Sequence, residues 1–115
     1  MLIKVDHASD VPLHAQITAG IRSSVARGQV SEGEKLPAAR TLADSLGVNM
    51  HTVLRAYAQL KEEGVVHMRR GTGAVVRDGA QRLAGRLEGM AARLVAYARE
   101  QGLSRDDLVA LIQGM

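Results

Sequence analysis

A chain of 115 residues has room for one core of usual size and a short appendage, but not for two full cores. Its 15 Lys and Arg against 12 Asp and Glu leave a formal charge of +3, an excess that matters only where the positive residues gather. With no Cys there is no disulfide, thiolate metal site or Cys nucleophile, and with 2 Tyr and no Phe or Trp there is little to stack on the unpaired bases of a single strand. No apolar run approaches the roughly 18 residues of a membrane span, and the opening MLIKVDHASD lacks the apolar stretch of a signal peptide, so a soluble cytoplasmic protein is expected.

In chain order, Asp10 is the expected N-cap of a first helix, with Pro12 in its first turn and Leu13, Ile17, Ile21 and Val25 as its apolar stripe. Gly28 ends it. Pro37 is expected to open a short second helix that turns Leu42, Ala43 and Leu46 inward and stops at Gly47, where a left-handed residue is cheap only for Gly. A third helix follows almost at once, with Val53, Ala56, Tyr57 and Leu60 on one buried face and Gly64 at its end. The stretch VVHMRRGTGAVV reads as a β-hairpin with a basic, Gly-containing tip. From Gln81 to Glu100 a longer helix carries Leu83, Leu87, Met90, Leu94 and Tyr97 in steps of four, three, four and three, a seam for another helix. Ser104 and Asp107 then form a capping-box pattern, with Leu103 and Leu108 placed as a hydrophobic staple, before a last helix bearing Leu108, Leu111 and Ile112.

Two helices joined across Gly47 and Val48 and followed by a basic hairpin make a helix-turn-helix with a wing, so the fold class expected is mostly α with a small β-hairpin. The linker RDGAQR divides it into a winged domain over 1–77 and a helical dimerisation tail over 78–115. In such an arrangement the start of the second helix faces base edges in the major groove of duplex DNA. That accounts for the polar first turn here: Asn49 can pair with adenine, Thr52 can meet a base, a phosphate or a thymine methyl, His51 can meet a base or a phosphate, and Arg55 reaches a phosphate or a guanine. Asn49 serves equally as an N-cap. Met50 lies in the same turn but has no donor for base readout. Arg69, Arg70, Gly71, Thr72 and Gly73 place two guanidinium groups beside two glycines that permit close backbone approach, although a solvated hairpin tip has the same composition. His7, His14, His51 and His67 show no metal-ligand spacing, and no catalytic constellation or cofactor motif is present.

The segments VPLHAQI, KLPAARTLADSLGVNMHTVLRAYAQLKEEGVV and RRGTGAVV together resemble the GntR family of bacterial transcription regulators, over about two thirds of the chain. The matching residues are Pro12 and Gln16, Leu36, Pro37 and Arg40, Thr52 and Val53, and the wing from Gly71 to Gly73. The resemblance implies that Arg40, the start of the recognition helix and the wing glycines contact DNA; Ala38 stands where many members carry Ser. The short tail resembles that of the YtrA-type subfamily, which implies dimerisation through two helices. The implied function is a repressor that binds an operator as a homodimer, with Leu83, Leu87, Met90, Leu94, Tyr97, Leu108, Leu111 and Ile112 between the subunits. Two alternatives stand beside it: a winged module that binds protein, and a seam that packs back on its own domain.

Overall fold

The computed structural model describes all 115 residues, as five helices and one hairpin. In order these are α1 (Leu13–Ala26), α2 (Ala39–Leu46), α3 (Met50–Glu62), β1 (Val66–Arg69), β2 (Gly73–Val76), α4 (Ala80–Glu100) and α5 (Arg105–Gln113). They form two compact units, Met1–Gly85 and Arg86–Met115.

The first unit is built on α3, which packs against both α1 and α2. Ile17, Ile21 and Val25 of α1 meet Val53, Ala56, Tyr57 and Leu60 of α3 in one cluster with Leu42, Ala43 and the hairpin residues Val66, Ala74 and Val76. These are the stripes that helical periodicity selects, each buried because its row returns to the same face every turn. The cluster also takes in Ala80 and Ala84, so the first turns of α4 belong to this unit. The chain therefore leaves the winged unit after Gly85, whereas the composition change near Arg77 marks only the end of the hairpin.

Asp10 does not cap α1. Pro12 occupies the N-cap position with no side-chain cap, and its carbonyl accepts from Ala15 and Gln16 N–H. Gln16 reaches back instead: its Oε1 accepts from Asp6 N–H at 2.7 Å, and its Nε2 donates to the carbonyls of Asp6 at 3.0 Å and Val11 at 2.8 Å. The leading segment is thus tied across the start of α1. Pro37 likewise stands outside α2, whose N-cap is Ala38, because its carbonyl is turned toward α3 and accepts from Tyr57 Oη at 2.6 Å. Burial pushes the Tyr57 hydroxyl up to about 12, so it stays a donor there.

β1 and β2 pair antiparallel from Val66 with Val76 to Arg69 with Gly73. The other edge of β2 is covered by the loop before α2: Gly33 N–H donates to Val76 O at 2.8 Å, Val76 N–H to Glu34 O at 2.9 Å and Leu36 N–H to Ala74 O at 2.9 Å. β2 is therefore a central strand, which explains the burial of Ala74, Val75 and Val76 in succession where a hairpin edge would alternate.

In the second unit Ser104 and Asp107 make the full capping box of α5. These bonds hold the Asp107 carboxyl below its usual range. Leu103 and Leu108 line the same hollow between α4 and α5, as a staple requires.

Candidate nucleic-acid interface

The interface is set by how α2 and α3 join. Gly47 adopts φ 66°, and Val48 N–H donates to Ala43 O at 3.0 Å, which reverses the chain within three residues of the end of α2. An added Cβ at Gly47 would meet nothing within 4 Å, so backbone conformation rather than space selects glycine there. His7 Nε2 lies 3.3 Å from the Leu46 carbonyl at the same joint. At the far end of α3, Arg22 of α1 grips Glu63 with two bonds of 2.7 Å, from Nε to Oε1 and from Nη2 to Oε2, while Gln59 Nε2 donates to Oε2 at 3.0 Å. The Arg22 bond is the main reason the Glu63 carboxyl sits below its usual range. α3 is thus held at its start by the glycine turn, near its middle by Tyr57 and at its end by Arg22.

Asn49 is the N-cap of α3, its Oδ1 accepting from His51 N–H at 2.7 Å. The cap engages the oxygen that adenine pairing also requires, leaving the amide N–H donors outward. His51 and Arg55 are exposed, and Thr52 is half-buried. Met50 is half-buried and packs against the core cluster, which explains an apolar residue in a polar turn. Arg40, the second residue of α2, is exposed; Ala38 supplies no side-chain cap, so the N–H groups at that helix start have no side-chain partner. The exposed side of α3 also carries the apolar Leu54 and Ala58, and Gln59, whose amide is engaged with Glu63.

At the wing, Arg69 and Arg70 are exposed, and Thr72 N–H donates to Arg69 O at 3.0 Å to close the turn. Gly71 at φ 77° and Gly73 at φ 96° occupy the left-handed region, and a Cβ at either would meet nothing within 4 Å. A side chain there would be strained in the turn and would also stand in the open space through which a backbone could approach.

The seam residues Leu83, Leu87, Met90, Leu94 and Tyr97 are 43–62% exposed, as are Leu111 and Ile112 on α5 at 54% and 51%. Leu108 differs from the others grouped with it by periodicity: at 7% exposure it is buried within its own unit. No helix is long and apolar enough to cross a membrane.

The bacterial regulatory proteins of the gntR family match this chain over residues 13–76. The HTH-type transcriptional repressor YtrA of Bacillus subtilis is 32% identical over 80 residues, covering 70% of this chain and 62% of that protein. The chain thus spans less than two thirds of that relative. Among solved structures, YtrA from Sulfolobus acidocaldarius, described as a GntR-family transcription factor, superposes with a TM-score of 0.62 at 34% identity, covering 96% of this chain and 93% of the other. The crystal structure of AraR(DBD) in complex with operator ORE1 superposes with a TM-score of 0.56 at 25% identity, covering 66% and 93%.

Proposed function

This chain belongs to the GntR family of bacterial regulatory proteins, and we propose that it is a transcription repressor that binds an inverted-repeat operator as a homodimer. Each subunit sets the first turn of α3 in a major groove, with His51, Thr52 and Arg55 toward base edges and Asn49 offering its amide donors to a base or phosphate. Arg40 and the wing from Arg69 to Gly73 rest on the backbone or in the minor groove. The observation that carries this reading is the exposed polar turn of α3, capped by Asn49 and held by Gly47, Tyr57 and Arg22, on a unit whose wing tip shows two exposed arginines beside open glycines. The repressor named YtrA and the operator complex of AraR(DBD) support it by similarity.

Dimerisation is supported by the apolar row on α4. Five large side chains in heptad-like steps, each more than two fifths exposed, form a surface along one helix that calls for a covering partner. A single winged domain reads few bases, so joining two copies is also how such a protein gains affinity for one site in a genome. Substituting Leu87 and Leu94 together with Asp places four like charges in the paired seam. Sedimentation is then expected to report a monomer, with affinity for a two-half-site operator falling to that of one half-site. A double variant that stays dimeric, or that binds the full operator like the parent, contradicts the seam.

A further inference from the structure

The outward side of α3 holds one residue whose chemistry the polar contacts do not use. Val53, Ala56, Tyr57 and Leu60 are buried in the core. Opposite them His51, Leu54, Arg55 and Ala58 are exposed at positions i, i+3, i+4 and i+7, one continuous face. Leu54 is 41% exposed and belongs neither to the core cluster nor to the partly buried residues packed on it, in contrast to Met50 one turn earlier. A leucine has no donor or acceptor for a phosphate or a polar base edge. Its neighbour Ala58 is short, so the helix surface beside it stays low enough to let the Leu54 methyls meet a groove floor.

In the major groove the prominent apolar feature of the base edges is the C5-methyl group of thymine. We infer that Leu54 is a specificity-determining residue that packs on the methyl group of one thymine in each operator half-site. The inference rests on the DNA-binding reading above and adds to it a methyl contact from the second turn of α3, separate from any that Thr52 makes in the first. Burial of a methyl group against an aliphatic side chain corresponds to about a three- to tenfold gain in affinity for each half-site.

The test starts from operator duplexes selected by the whole protein out of a random pool. Each thymine is then replaced singly by deoxyuridine, which removes the methyl and keeps the base pair. The parent is expected to lose about three- to tenfold affinity at one thymine per half-site. Leu54→Ala, which removes the contact from both half-sites, is expected to lose about ten- to a hundredfold on the thymine operator, the square of the single-site factor. It should be indifferent to deoxyuridine at that position and keep the parent's salt dependence, since its phosphate contacts are those of the parent. The substitution puts a better helix former at an exposed site, so the fold is retained. Losses from the two changes that multiply, a Leu54→Ala variant that binds like the parent, or a parent indifferent to every thymine methyl would each overturn the role of Leu54. A parent that enriches no DNA at all removes the DNA-binding reading itself, and the role of Leu54 with it.

Discussion

Replacing Glu63 with Gln removes the negative charge from the clamp between α1 and α3 while keeping shape and one acceptor oxygen. In the parent the carboxylate receives two bonds from Arg22 and one from Gln59, and the two charged side chains are only 20% and 17% exposed. A pair this covered is not a solvated surface pair, and loss of a hydrogen bond to a charged group at such a site costs about 1–3 kcal/mol. The sign of the pH dependence follows from the lowered carboxyl. Its stabilisation is present above the ordinary carboxylate value and is lost as pH falls through the lower value of the folded state. The parent is therefore expected to exceed Glu63→Gln by about 1–3 kcal/mol at pH near 7 and to converge on it in acid. Urea unfolding followed by Tyr57 fluorescence, in a Tyr97→Phe background that leaves one fluorophore in the first unit, measures this directly. Equal midpoints near neutrality, or a difference that persists unchanged into acid, would refute the clamp.

Gly47→Ala forces a Cβ into φ 66° with no compensating contact, and a loss of about 1–2 kcal/mol is expected in thermal or urea unfolding; an unchanged midpoint contradicts the turn geometry. Asn49→Ala is expected to cost about 1 kcal/mol of stability while Asn49→Ser, which can still cap, restores most of it. Equal losses in both would show that the bond to His51 N–H is not what Asn49 contributes. Arg40→Ala and Arg70→Ala are each expected to weaken binding to all DNA sequences alike and to flatten the dependence of log affinity on log salt by about one unit for every phosphate no longer neutralised. A variant with parental affinity and slope would take that arginine off the backbone.

The helices are legible in the sequence because their buried rows are periodic: Ile17, Ile21 and Val25 on α1 and Val53, Ala56, Tyr57 and Leu60 on α3 announce the core from spacing alone. Gly47 and the Gly71 and Gly73 tip are legible because only glycine takes those conformations cheaply. Three features are not. The strand-like pairing of Gly33 to Leu36 with β2 runs through charged residues beside a proline and carries no alternating pattern, yet it makes β2 central. Asp10 has the capping chemistry that suggests a helix start, but the tie from Gln16 to Asp6 and Val11 that organises the start of α1 joins residues well apart in sequence. The Arg22 to Glu63 clamp joins positions 41 residues apart, and no local pattern can show it. At the interface, polar chemistry selects Asn49, His51, Thr52 and Arg55; Leu54 stands out only through its exposure, as an apolar side chain on the outward face of α3. Leu108 repeats the apolar spacing of Leu111 and Ile112 but is covered within its own helix pair, a distinction that periodicity does not contain.

The central claim is that two copies of this winged unit read one DNA site, and selection of duplex from a random pool by the whole protein tests it most directly. Enrichment of an inverted repeat whose half-sites lie about 10 bp apart centre to centre, or a multiple of that, is expected, because paired recognition helices must enter successive major grooves on one face of the duplex. Enrichment of a single unrepeated element, or retention of DNA with no sequence preference, would contradict it.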